Sequence, residues 1–262
     1  MNKTAQRLSK RWPPFLHKVV EAPYESADVI LRMLRYNPEK AMAKYPRLRE
    51  IKDASEISRV FARYGPHGIF TVSDKELPRV MAAVGDNYGV LMTVEDHAWI
   101  MDNLLEQLRS PASFLDVGCG VCPYTAFLVR EGYLRGQVVG VDQMPEILGR
   151  AREVFERAQA SHPLVLGTAL RLPFADASFE HVFCNDALHW IKGWRRALNE
   201  MCRVLAPGGR LFVCYSVKFT RTLITERGII EELAKHGIKP AFVSFDAVGS
   251  QTPRTIVTGC KE

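Results

Sequence analysis

The sequence predicts an α/β protein built on a largely parallel sheet and preceded by a helical segment. Three observations carry that expectation. From residue 112 onward, short apolar runs alternate with segments of helical periodicity, the pattern of a parallel sheet with crossover helices. One run, Phe114-Leu-Asp-Val117, leads into a glycine turn, Gly118-Cys-Gly120, with Pro123 where a helix can open. Residues 1–110 show helical spacing instead.

Taken in order, Ala27, Ile30, Leu31 and Leu34 form one face of a first helix that Asn37-Pro38 stops. Asp53 and Glu56 make a capping-box start for a face of Ile57, Val60, Phe61 and Tyr64, ended by Gly65-Pro66. Ser73 and Glu76 repeat the device ahead of Leu77, Val80, Met81 and Val84, and Gly85 ends that helix. Thr93 opens a fourth, with a stripe of Met101, Leu104, Leu105 and Leu108. Each stripe must be buried against another helix or the core. Strands are then expected at 113–117, 137–141, 163–167, 181–185 and 210–216, with helices near 123–131, 145–159 and 193–205 between them. The chain closes with a helix over Ile229–His236, ended by Gly237, and two strands near 240–247 and 254–260.

A length of 262 residues allows one or two domains with a sizeable core. No uncharged apolar stretch reaches the ~18 residues of a membrane span. The basic N-terminus lacks the apolar run of a secretory signal, so a cytoplasmic protein is expected. The net charge of +6 lies wholly in residues 1–60, which hold 13 Lys or Arg against 7 Asp or Glu. Those cations are scattered, which favours a solvated helical surface over a phosphate-binding patch. Cys119 and Cys122 form a C-x-x-C, but no second close cysteine pair and no suitably spaced His pair accompanies them. Neither a metal site nor a redox role is expected of them.

The glycine turn gains its meaning from the motifs C-terminal to it. Val138-Val-Gly-Val-Asp142 ends a second apolar run in a carboxylate 26 residues after Asp116. Then come Leu172-Pro-Phe-Ala-Asp-Ala-Ser-Phe179, Val182-Phe-Cys-Asn-Asp186 and Arg203-Val-Leu-Ala-Pro-Gly-Gly209. This ordered set resembles the class I S-adenosylmethionine-dependent methyltransferases, in particular the small-molecule branch that includes the quinone-biosynthesis C-methyltransferases. The resemblance covers roughly residues 100–262. It implies a Rossmann-like seven-stranded sheet in the order 3-2-1-4-5-7-6, its last strand antiparallel, with S-adenosyl-L-methionine as cofactor. It divides the chain into a helical N-terminal extension, 1–100, as a candidate substrate cover, and a methyltransferase core, 101–262. A nicotinamide dehydrogenase would want a third glycine where Pro123 stands, and would leave Asp116 without a task.

For the site, the resemblance implies that Gly118 and Gly120 let the backbone wrap the cofactor's methionine end while Asp116 meets its ammonium. Asp142 would accept from both ribose hydroxyls, as one carboxylate can. Gln143 and Met144 come next, Met144 against the adenine face. Thr168 stands where relatives often carry an acid for the adenine amino group, and Ala169 offers a backbone N–H. Cys122 replaces a third glycine of many relatives, which would put a side chain near the cofactor's carboxylate. Asn185 closes strand four, and His189, four residues on, is the candidate general base should the acceptor carry a proton that must leave. The function expected is methyl transfer to a small, hydrophobic acceptor at carbon or oxygen, without a nucleic-acid partner. An RNA methyltransferase and a non-catalytic binding subunit of the same fold are the alternatives.

Overall fold

The computed structural model describes residues 94–109, 112–157, 159–160, 162–216, 223–245 and 254–262. The helices expected over residues 27–84 lie outside the described residues. From Ile100 onward the described residues form one compact unit. Helix α1 (Val94–Gln107) buries Met101 and Leu104 of its expected stripe, together with Ile100.

The sheet begins after it. Strand β1 (Phe114–Val117) leads to α2 (Pro123–Arg130), β2 (Val138–Asp142), α3 (Pro145–Arg157) and β3 (Leu164–Leu166). Then come β4 (Phe179–Asn185), α4 (Trp194–Val204), β5 (Leu205–Ser216), α5 (Glu226–Ala234), β6 (Ala241–Phe245) and β7 (Arg254–Cys260). Every residue of β1 and β2 is buried, which is why those runs are continuously apolar and do not alternate. The order is β3-β2-β1-β4-β5-β7-β6, as expected, and β7 runs antiparallel to both β5 and β6.

Strand β1 pairs in parallel with β2 on one side and β4 on the other, so the strand order reverses between β1 and β4. Right-handed crossovers running outward in two directions place their helices on opposite faces. In keeping with that, α2 packs with α3 and α4 with α5. The rings of Phe114, Phe183 and Phe212 tie β1, β4 and β5 together, with centroids 5.8 and 5.3 Å apart. A reversal of this kind opens a crevice at the strands' carboxyl ends, where ligands bind.

Two boundaries differ from expectation for a physical reason. Strand β5 begins at Leu205, directly after α4, although Ala206-Pro-Gly-Gly209 reads as a breaker. Tertiary pairing holds it: Gly208 N–H donates to Lys261 O at 2.7 Å and Lys261 N–H to Gly209 O at 3.0 Å. Helix α5 begins three residues early, because the Thr225 hydroxyl accepts from Gly228 N–H at 3.1 Å and caps it.

Candidate active site

The chain leaves β1 through a left-handed turn. Gly118 has φ +66°, and its N–H donates to Val141 O at 2.8 Å, tying the turn to the end of β2. A Cβ on Gly118 would stand 2.5 Å from Ala187 Cβ, so the turn presses against the segment leaving β4. Gly120, at φ +55°, differs: nothing lies within 4 Å of where its Cβ would stand, and its backbone faces open space. Cys122 also adopts a left-handed conformation, φ 54°, as the residue before α2. Its side chain is fully buried, and its thiol lies 3.0 Å from where a Cβ on Gly140 would stand, beside that of Cys119 at 3.1 Å. The thiol expected near the cofactor's carboxylate therefore lies under the turn against β2, since Gly140 leaves room there.

The two acids stand at adjacent strand ends. Asp142 accepts from Gly120 N–H through Oδ2 and from Met144 N–H through Oδ1, both at 3.0 Å. Each oxygen keeps a second acceptor site. Burial pushes its carboxyl above the usual range, and the bonds from Gly120 and Met144 pull against that rise. Asp116 is 3% exposed and accepts from the Thr125 hydroxyl at 2.5 Å. Burial pushes its carboxyl up to about 7, opposed by the Thr125 bond and reinforced by Asp142. Thr125 belongs to none of the sequence motifs, but it sits in the first turn of the helix that the glycine turn opens.

Beyond β3, Gly167 N–H donates to Asp142 O at 2.9 Å, which anchors the next loop at the same rim. The Thr168 hydroxyl accepts from Leu170 N–H at 3.3 Å, and Ala169 between them is half-buried. Gln143 is exposed, whereas Met144 is buried. At the end of β4, Asn185 Oδ1 is buried and, among the described residues, accepts no hydrogen bond. Glycine turn, Asp116, Asp142, Thr168 and Asn185 thus all lie at the carboxyl edge of the sheet.

His189, the candidate general base, is deeply buried. It is 1% exposed in a 3-10 turn, Leu188–Trp190, and its Nδ1 accepts from Ser216 N–H at 3.3 Å. An accepting Nδ1 leaves the proton on Nε2, so neither nitrogen is free to take up another. Burial also holds its pKa down to about 4, the proximity of Arg254 adding to this and Asp186 opposing it. Burial and the bond from Ser216 both favour the neutral imidazole. Nearby, Arg254 Nε, buried at the start of β7, pairs with Asp186 at 3.1 Å. Asp186 has φ 51° and comes directly after Asn185. That pair joins residues 68 apart in sequence, and no local pattern announces it.

The sheet order and the glycine turn are similar to those of class I methyltransferases, and a family model described as a methyltransferase domain matches residues 115–213. Among curated proteins, the demethylmenaquinone methyltransferase of Deinococcus radiodurans is 34% identical over 53% of this chain and 62% of its own length. That of Shouchella clausii is 30% identical over 52% of this chain and 60% of its length. The match thus spans less than two thirds of these relatives. Among solved structures, the N-methyltransferase NodS of Bradyrhizobium japonicum, in complex with S-adenosyl-L-homocysteine, superposes with a TM-score of 0.53 at 18% identity. That superposition covers 63% of this chain and 87% of NodS. YcgJ of Bacillus subtilis gives a TM-score of 0.54 at 15% identity, covering 63% of this chain and 99% of YcgJ. At such identities the likeness is one of fold.

Proposed function

We propose that this chain transfers a methyl group from S-adenosylmethionine to a small, quinone-like acceptor, at carbon or oxygen. The observation that carries the reading is the glycine turn, where Gly120 backs onto open space with its N–H held by Asp142. The residues fit the cofactor group by group. Asp142 would hold the ribose hydroxyls, and Gly118, Gly120 and Asp116 the methionine end. Thr168, Ala169, Gln143 and Met144 would line the adenine, and the unmatched Asn185 oxygen suits a donor on the ligand. The cofactor supplies an activated methyl group on a sulfonium, which is already a good leaving system. The protein's own task is then to position the acceptor and exclude water. With His189 Nδ1 engaged by Ser216, positioning carries the reaction and that imidazole takes no proton.

The acceptor class draws on the relatives' name, and residues 1–100 are read as its cover. Trp190 and Trp194, the aromatics nearest the acceptor end that could stack on bases, are both buried, which favours a small molecule over RNA. Among the described residues no helix is long and apolar enough to cross a membrane, in keeping with a cytoplasmic enzyme. The test is methyl transfer from radiolabelled S-adenosylmethionine to a short-chain demethylmenaquinone, alongside filter binding of total RNA across a salt series. Labelled quinone and no RNA retention are expected. Salt-sensitive, submicromolar RNA retention without quinone labelling would overturn the reading.

A further inference from the structure

The two carboxylates at the ends of β1 and β2 are solvated unequally. Asp142 accepts from the backbone N–H groups of Gly120 and Met144, and the Gln143 N–H also favours its charged form. Asp116, more deeply buried, accepts, among the described residues, from the Thr125 hydroxyl alone. The titratable and polar groups that face it are all neutral or acidic: Thr125 from α2, Asp142 from β2, Cys119 and Cys122 from the turn, and Cys184 from β4. Among the described residues no cation acts on it.

A buried carboxylate with one hydrogen bond and no counter-charge is costly to ionise. Where two carboxylates share a site, the less well solvated one keeps the proton. A cationic ligand changes that balance, because an ammonium beside the carboxyl favours its charged form. We propose that Asp116 carries a proton in the free protein and releases it when the ammonium of an S-adenosyl ligand enters the glycine turn. Cofactor uptake is thereby coupled to proton release across neutral pH. The inference rests on the reading of this turn as the seat of the cofactor's methionine end.

The two protonation states set the sign. The ligand prefers ionised Asp116, so affinity rises with pH until the free protein is itself ionised, and then levels. Burial sets that point at about 7. The experiment is titration calorimetry with S-adenosylhomocysteine, which keeps the ammonium, in buffers of different ionisation enthalpy. Nearly one proton should be released at about pH 6 and few at about pH 8, with affinity rising about tenfold between them. Asp116→Asn keeps the shape but cannot ionise, and should bind with buffer-independent heat and a flatter profile. Thr125→Val, which removes the one donor, should move the midpoint to higher pH. Binding without proton exchange overturns the inference and leaves the cofactor reading standing. No binding at any pH overturns both.

Discussion

Each oxygen of Asp142 braces a backbone N–H, and the proposed reading gives the same carboxylate the ribose hydroxyls. Asp142→Ala should weaken S-adenosylhomocysteine by ~1.5–3 kcal/mol, the range for hydrogen bonds to a charged group. Unchanged affinity by calorimetry would put the ribose elsewhere. Thr168 uses its hydroxyl to accept from Leu170 N–H. In Thr168→Asp, a carboxylate can keep that bond and add a charged acceptor toward the adenine amino group, so binding should tighten. A crystal structure of the liganded variant with Asp turned away from the base would refute this. For His189 the linkage runs as for any buried neutral imidazole. With its folded pKa near 4, below the unfolded value, its contribution to stability is whole above about pH 6.5 and is lost as pH falls toward 4. The loss approaches about 3 kcal/mol for such a displacement. Urea unfolding from pH 7 to 4 should show the parent losing more stability than His189→Asn, whose amide oxygen can take over the bond from Ser216.

Among elements, α4 is the organiser. Its Arg203 donates to Leu172 O, Phe174 O, Glu200 and Asp176, and Glu200 accepts from Leu172 N–H at 2.9 Å. One helix turn thereby clamps the Leu-Pro-Phe segment that leads from the Thr168 loop into β4. Hydrogen bonds from a partly exposed guanidinium are individually modest, but five donors in a rigid fork add specificity. Arg203→Ala should cost about 1–2 kcal/mol in urea unfolding. Arg203→Lys should recover little, because an ammonium cannot span the same carbonyls. A variant as stable as the parent would reduce the clamp to decoration. Lys261 plays a smaller part of the same kind, its Nζ donating to Cys202 O and Leu205 O at 2.8 Å where α4 ends.

At the scale of the molecule, the reversal of strand order puts the glycine turn and the segment after β4 in contact at Gly118 and Ala187. On the proposed reading, the cofactor side and the acceptor side meet there. The proposed reading gives residues 1–100 the role of a cover for the acceptor. Removing residues 1–90 should leave S-adenosylhomocysteine binding measurable while abolishing methyl transfer. A soluble truncation that still transfers methyl at the full rate would remove the cover from the reading.

The strand–turn–helix at Asp116, the second acid at Asp142 and the alternation from residue 112 were legible in the sequence, because each depends on local pattern and on the intrinsic freedom of glycine. The seven-strand order came with the family resemblance, since pattern alone cannot say which strands pair. The tertiary structure decided what depends on neighbours distant in the chain. It turned the Cys122 thiol under Gly140 and extended β5 through its Pro-Gly-Gly run. It spent the His189 nitrogen on Ser216, and among the described residues it left Asp116 with a single donor in a buried place without a cation. Burial and hydrogen-bond partners set the chemistry of a side chain, and both are properties of the folded neighbourhood, not of the residue.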